Sequence, residues 1–336
     1  MEIIEAAVIV TVFNKEKYLK DTLESILSQE TGRPFRIILS DDCSTDSSRS
    51  ICADYAARYV SSSSDSSLNV SVHDITDGKH RGVTGNFLYC LRYALSLNVK
   101  YISQIDSDDI LADPGFLERQ ISFLESHPDA QAASSGFFLT DELGTLESVR
   151  SHFSQISPAQ NPYVGIVYKD LRIDYEYLLY HNNPLVAGGM TYKTDHLADY
   201  LDDFASDSDS TQDLPLWLYL SLYGSFWGCD IKSLAYRNLP ESVSRSRDLE
   251  AQMKFQKASL STRLRFIDFL KTRTGCNYEA LAKASESLYK TKMLRHYAKL
   301  SPKDFPSKLW KSLKEKPSML FSRDLWRSVG VYFKNR

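Results

Sequence analysis

Short apolar runs alternate with helix-spaced segments through the first third of this chain, and no other property narrows its fold as much. Ala6–Phe13, Phe35–Ser40, Asn69–His73 and Tyr101–Ile105 read as strands. Between them Leu19, Leu23, Ile26 and Leu27, then Ile51, Cys52, Tyr55 and Tyr59, then Phe87, Leu91, Ala94 and Leu95 recur at helical spacing. Strand, crossover helix and strand in repetition is the pattern of an α/β fold with a mostly parallel central sheet and flanking helices. Asp113-Pro114 offers an N-cap and a first-turn proline for a further helix carrying Phe116, Leu117, Ile121 and Leu124. Beyond His127 the repeating unit ends. Ala130–Thr140 leads to a turn near Asp141 and Gly144, and Gly188-Gly189 precedes a short strand at Met190–Tyr192. Leu214–Leu222 reads as a helix buried around most of its circumference, and the chain from Leu249 onward reads as helical.

Open α/β sheets collect ligands outside the carboxyl ends of their strands. Three polar groups of residues fall there: Asn14 after the first strand, Asp41-Asp42 after the second, and Asp106-Ser107-Asp108-Asp109 after Tyr101–Ile105. Three carboxylates within four residues repel one another, and a hard divalent cation such as Mn²⁺ or Mg²⁺ would remove the conflict. Such ions take oxygen ligands and fill the remaining positions with water and substrate phosphate. A solvated turn is the plain alternative. A calcium loop is excluded, because counting from Asp106 puts Leu111 where the turn glycine belongs and Leu117 where the bidentate glutamate belongs. Neither a dinucleotide glycine fingerprint nor a GxxxxGK[ST] loop is present, so carboxylates would replace backbone amides as the grip on a nucleotide.

The net charge of −3 gives no chain-wide basic field for nucleic acid, and none is expected as a partner. Five cysteines without CxxC spacing fit a reducing cytoplasm. The N-terminus lacks the pattern of a signal peptide, and no run of eighteen apolar residues occurs, so a cytoplasmic protein that does not span a membrane is expected. Charge is uneven, with ten Lys or Arg against three Asp or Glu between 299 and 336. There Leu309, Trp310 and Leu313, then Phe321, Leu325, Trp326 and Val329, suit amphipathic helices. Residues 303–336 would either lie on an anionic membrane surface or pack on the rest of the protein. The aromatics Tyr163, Tyr168, Tyr175, Tyr177 and Tyr180 are read as core.

Four segments in order resemble one family. Val8–Asn14, Ile37–Asp46, Asp106–Asp109 and Gln212-Asp213 are similar to the motifs of family 2 glycosyltransferases with a GT-A fold, over about residues 5–245. The resemblance implies a catalytic domain at 1–245, with a nucleotide-binding half at 1–125 and an acceptor half at 126–245, followed by a helical extension at 246–336. It implies transfer of a sugar from a nucleotide-diphosphate donor to a glycan or lipid-linked acceptor, with inversion at the anomeric carbon, as in bacterial surface polysaccharide synthesis. By the same resemblance Val12 and Asp41 or Asp42 border the base, Asp106 meets the ribose side, Ser107 is counted among the donor-binding residues, and Asp108 ligates Mn²⁺ or Mg²⁺. Asp109 faces the donor sugar or acceptor, and Asn14, Arg81 and Asn86 add polar grip on the nucleotide. Asp213 resembles the second residue of the family's Glu-Asp pair and is the candidate general base. A helix N-terminal charge, favourable by about 0.3–1 kcal/mol, is the plain alternative for it, and Asp207 and Asp209 are local competitors. Tyr236-Arg237 and Ser242–Arg247 resemble the segment that follows the base helix. Thr11, Cys43 and Gln212 depart from a common proline, glycine and glutamate. The QxxRW signature of processive synthases is absent, which implies one sugar per encounter. Other readings are a metal-dependent nucleotidyltransferase, or a non-catalytic nucleotide-sugar or glycan-binding module, which would need no base at Asp213.

Overall fold

The computed structural model describes residues 4–59, 69–155, 172–181, 183–209, 211–228, 231–239 and 246–335. The serine-rich loop 61–67, Tyr163, Tyr168, Ser242 and Arg245 lie outside them. The first strand, β1 (Ala6–Val12), is buried at every position but Thr11, as expected for a strand covered on both faces. Helix α1 (Leu19–Leu27) sets Leu19, Leu23 and Ile26 into the core, and β2 (Phe35–Asp41) is buried throughout. Then follow α2 (Ser48–Arg58), β3 (Val70–Asp74), α3 (Gly82–Ser96), β4 (Tyr101–Gln104), β5 (Ile110–Leu111), α4 (Phe116–Ser126), β6 (Ala130–Ser134), β7 (Phe137–Thr140) and α5 (Leu146–Gln155). After β8 (Arg172–Ile173) and α6 (Tyr175–Tyr180) come a 3₁₀ turn at Ala187–Gly189, β9 (Met190–Lys193), α7 (Leu197–Asp203), α8 (Asp213–Leu220), β10 (Ser225–Gly228) and β11 (Leu234–Arg237).

Eight strands form the main sheet in the order β3-β2-β1-β4-β9-β6-β10-β8, so it runs through both expected halves, 1–125 and 126–245. The pairs β1/β2, β1/β4, β2/β3 and β6/β10 are parallel, while β9 runs antiparallel between β4 and β6. A second sheet has the order β5-β11-β7. Strand β5 departs from expectation. It follows the acidic cluster directly and leaves the main sheet to pair antiparallel with β11. The segment 130–140 likewise divides into two strands in different sheets. Helix α4 begins at Phe116, later than its Asp-Pro signal suggests, because Asp113 closes a turn by accepting the Gly115 N–H at 2.9 Å. Residues 214–220 of α8 are all buried, in keeping with a helix apolar on every side.

The chain divides into two compact units, one of Met1–Tyr175 with Pro184–Asn238 and one of Glu176–Asn183 with Leu239–Arg336. The second is helical: α9 (Leu249–Thr274), α10 (Glu279–Leu300), α11 (Phe305–Glu315), a 3₁₀ turn at Pro317–Phe321 and α12 (Arg323–Asn335). Asp248 caps α9 by accepting the Ala251 N–H, and Gly275, at φ 70°, ends it in the left-handed region. Leu294, Ala298, Phe305, Met319 and Leu325 make a core of their own, so α11 and α12 pack on α10. No helix among the described residues is long and apolar enough to cross a membrane.

Candidate active site

Strands β2, β1 and β4 are parallel neighbours, so the loops that follow them emerge at one edge of the main sheet. The first two loops are laced together. Asn14, at a left-handed φ of 52°, donates its N–H to Ser44 Oγ at 2.8 Å and accepts the Thr45 N–H on Oδ1 at 2.8 Å. Lys15 N–H donates to Ser48 Oγ, Glu16 N–H donates to Asp46 Oδ2, and Glu16 Oε2 accepts the Ser47 N–H. The polar residues at 44–48 therefore satisfy loop amides that no strand can pair. Cys43 takes φ 65° in this loop, a region that glycine enters without strain.

Asp41 and Asp42 are both buried, and they point to different work. Asp41 accepts the Ser44 N–H on Oδ1, while its Oδ2 has no hydrogen-bond partner among the described residues. Asp42 accepts the Arg81 N–H at 2.6 Å and the Gly82 N–H at 2.8 Å, with His80 Nδ1 3.1 Å from its Oδ2. Helix α3 has no side-chain cap of its own, so Asp42 supplies the anion its first amides need. Phe13 is 47% exposed, and its ring centroid lies 5.8 Å from that of His80. Aromatic faces beside a carboxylate suit a flat heterocycle that both stacks and hydrogen-bonds. Val12, the last residue of β1, accepts the Asp42 N–H on its carbonyl.

Two candidates serve neighbours instead. The Arg81 guanidinium makes a two-point pair with Asp77 at 2.7 and 2.6 Å and lies over the Tyr89 ring. Only its backbone N–H reaches Asp42. Asn86 is buried, donates to Ser40 O and accepts from Ser40 Oγ, and so fastens α3 to β2.

The acidic segment closes a turn in which the Asp109 N–H donates to Asp106 O at 2.9 Å, with Ser107 buried between them. Asp106 keeps some accessible surface. Desolvation first, then the charges of Asp108 and Asp213, push its pKa up to about 7. Asp213, the first residue of α8, is thus an electrical neighbour of the cluster. Asp109 is raised well above the carboxylate range by burial, then by Asp108 and Asp106. Its Oδ1 accepts the Arg237 N–H at 2.8 Å, and its Oδ2 has no partner among the described residues. A Cβ at Gly188 would sit 3.1 Å from that oxygen and 3.5 Å from Asp106 N. Glycine there lets the 3₁₀ turn close against the acidic loop.

Two cations complete the constellation. Arg237, at the end of β11, donates to Asp108 O at 2.6 Å and to Gly144 O, and lies over the Tyr18 ring. It ties the acidic turn to the turn after β7 through these two backbone oxygens and leaves the Asp108 carboxylate to another partner, Lys15 Nζ at 2.6 Å. The sequence points to Tyr236-Arg237 as a segment without naming this clamp. Lys15 and Phe13 flank Asn14 at the mouth of β1, and in the sequence Asn14-Lys15-Glu16-Lys17 makes only a poor phosphate-binding loop. Of the local competitors to Asp213, Asp209 accepts the Thr84 hydroxyl on its backbone carbonyl, and Asp207 lies beside Gly85 of α3.

The donor set fits a hard cation. Asp106 and Asp108 present only oxygen and repel one another, and Asp213 adds to the repulsion on Asp106. No group of three or more His, Cys, Asp or Glu among the described residues is arranged to hold a metal by itself. A cation bound here would draw most of its ligands from phosphate and water.

Residues 7–190 match the sequence profile of glycosyl transferase family 2. "Putative glycosyltransferase EpsE" of Bacillus subtilis (strain 168) is 34% identical over 140 residues, 42% of this chain and 45% of that protein. "Minor teichoic acid biosynthesis protein GgaB" of the same organism is 32% identical over 122 residues, 36% of this chain and 12% of that protein. The match thus spans less than half the length of either relative. The structure of S. aureus TarS 1–349 in complex with UDP superposes with a TM-score of 0.52 at 16% identity, covering 98% of this chain and 90% of that one. This likeness is one of fold: a GT-A-like, mostly parallel α/β sheet with flanking helices and a helical C-terminal region.

Proposed function

This chain belongs to glycosyl transferase family 2, and we propose that it moves one sugar from a nucleotide-diphosphate donor to a hydroxyl of a glycan or lipid-linked glycan, inverting the anomeric carbon. What supports this reading is that Asp108 and Asp213 both act on the carboxyl of Asp106, in the loop that follows β4. One carboxylate group to hold the donor and another to take a proton are the minimum such a reaction needs.

In this reading the base stacks near Phe13 and His80 and hydrogen-bonds to Asp41 or Asp42, with Val12 and Asn14 shaping the wall. Asp106 meets the ribose side with Ser107 beside it on the donor, Asp108 would hold Mn²⁺ or Mg²⁺, and Asp109 faces the donor sugar or acceptor. The cation would neutralise charge on the departing diphosphate. Asp213 accepts the proton of the acceptor hydroxyl while the acceptor oxygen bonds to the anomeric carbon and the bond from that carbon to the phosphate oxygen breaks, releasing the nucleoside diphosphate. A positioned base of this kind contributes typically ~10²–10⁴-fold. Arg237 holds the Asp108 backbone while these charges move, and Lys15 is placed to pass from Asp108 to the diphosphate.

The names of the relatives favour a surface polymer as the setting: one is called a teichoic acid biosynthesis protein. TarS has been solved with UDP and with UDP-GlcNAc, so UDP-sugars are the first donors to test, with the acceptor at the inner face of the cell membrane. Transfer from a panel of nucleotide sugars, with Mn²⁺, with Mg²⁺ and with chelator, tests the proposal, and NMR of the product gives its anomeric configuration. Retention of configuration, or nucleotide transferred in place of sugar, would overturn it.

A further inference from the structure

Half of the large apolar side chains that the described residues leave exposed lie within the last two helices and the turn joining them. They are Trp310 at 63%, Leu320 at 45%, Trp326 at 57% and Phe333 at 67%. Their exposure is not a failure of the helices to find a core. On α11, Phe305 is buried and Leu309 and Leu313 pack beside it. On α12, Leu325 and Ser328 are buried, and Val329 and Tyr332 are partly covered. Each helix thus has one face sealed against its own unit and places its bulkiest aromatic residues elsewhere.

Those aromatics are surrounded by cations. Lys311 and Lys314 stand one and four residues beyond Trp310, and the Lys314 ammonium lies 5.4 Å from its ring centroid. Arg323 stands three residues before Trp326 on one face of α12, Arg327 and Lys334 directly follow Trp326 and Phe333, and all three are exposed. Asp324 pairs with Arg327 at 3.2 Å and Glu315 with Lys290 at 3.1 Å, and between 305 and 335 Lys and Arg still outnumber Asp and Glu by seven to two. The Trp326 indole N–H donates to Leu320 O at 2.8 Å, which fixes the ring beside a second exposed apolar side chain.

We propose that the outward faces of α11 and α12 dock on an anionic lipid bilayer, with Trp310, Trp326 and Phe333 entering the headgroup boundary and the Lys and Arg residues meeting lipid phosphates. Large exposed aromatic rings favour that boundary because they bury apolar area there while the cations beside them stay at headgroup level. Basic residues near the surface add attraction that salt screens. A second copy of the chain is the poorer occupant, since pairing these faces would set cations against cations. The docking requires nothing of the transfer chemistry and stands whether or not the donor site is assigned correctly.

Sedimentation of the full chain with vesicles tests this directly. The protein should pellet with phosphatidylcholine vesicles that contain phosphatidylglycerol and stay in solution with phosphatidylcholine alone. Raising salt from about 0.1 M to about 1 M, which shortens the screening length from about 10 Å to about 3 Å, should release it. The variant Trp310→Ala/Trp326→Ala/Phe333→Ala should bind at least ~10-fold more weakly. Lys311→Glu/Arg327→Glu, whose side chains are exposed, should lose binding while keeping the melting temperature of the parent. Absence of binding to anionic vesicles at low salt would overturn the proposal. So would undiminished binding by the aromatic variant, which would mark a surface for a soluble polyanion. A dimer dissolved by the aromatic substitutions, with no vesicle binding, would assign the face to self-association instead.

Discussion

Lys15 Nζ lies 2.6 Å from Oδ2 of Asp108, with both side chains about one-fifth exposed. The carboxylate proposed to hold a divalent ion is therefore already paired with a cation of the protein's own. That ammonium also counters the repulsion that raises Asp106. A metal approaching Asp108 must share it with Lys15 or displace it.

Replacing Lys15 with Met should strengthen binding of Mn²⁺ alone. Loss of one partly screened charge at this distance is worth about 1 kcal/mol, or about five-fold in affinity. Titration followed by the free-Mn²⁺ electron paramagnetic resonance signal, without donor, reads the effect. The same variant should transfer sugar more slowly if the ammonium moves to the diphosphate during turnover. An unchanged Mn²⁺ affinity would mean that Lys15 and the ion do not compete.

Asp213→Asn keeps the shape of the side chain and removes its capacity to take a proton. Turnover should fall by ~10²–10⁴-fold, while donor affinity, measured by titration with a non-transferable analogue, should hold. The loss of one negative charge near Asp106 works against any drop in donor binding, so the two readouts separate. A variant that transfers sugar at the parent rate would remove Asp213 from the base role.

The strands of the nucleotide half were legible because β1, β2 and β4 are apolar runs buried on both faces, and a run of that kind has few other fates. Strand β5 was not, because two residues carry no period and acquire their identity only from β11, more than a hundred positions away. The strand at 190–193 could be read, but its antiparallel insertion between β4 and β6 depends on side-chain packing that no local pattern encodes. Among site residues, the acidic type and strand-end position of Asp42, Asp106 and Asp108 were visible. Their bonding was not. Asp42 caps a helix 40 residues later, Arg237 clamps a turn 129 residues earlier, and Lys15 reaches across 93 positions to Asp108. Long-range pairing of this sort is set by topology, and a sequence shows the groups without showing which will meet.

The helical unit carries its own pH dependence. Burial first, then the charges of Lys292, Lys299 and Arg295, lower the pKa of His296 from 6.5 to about 4. A histidine whose folded pKa lies below its unfolded value contributes stability that is present above pH 6.5 and is lost as pH falls toward 4. Thermal unfolding followed by circular dichroism should show the melting temperature declining across that window. His296→Gln should flatten the decline. An equally steep decline in the variant would place the acid sensitivity elsewhere.

Cys43 holds φ 65° in the loop that joins Asp41 to Ser44. A residue with a side chain is disfavoured in that region by roughly 1–2 kcal/mol. Glycine relieves the strain, but its freer unfolded chain returns about 0.5–1 kcal/mol of the gain. Cys43→Gly should therefore leave the fold intact and raise the melting temperature slightly, with donor affinity retained, because the loop is fixed by the bonds of Asn14 and Asp41 and not by the thiol. Cys43→Val should do the opposite, since a β-branched side chain fits positive φ worst. Differential scanning calorimetry of the pair decides the matter: if the glycine variant melts lower than the parent, the cysteine side chain supplies packing that outweighs its backbone strain.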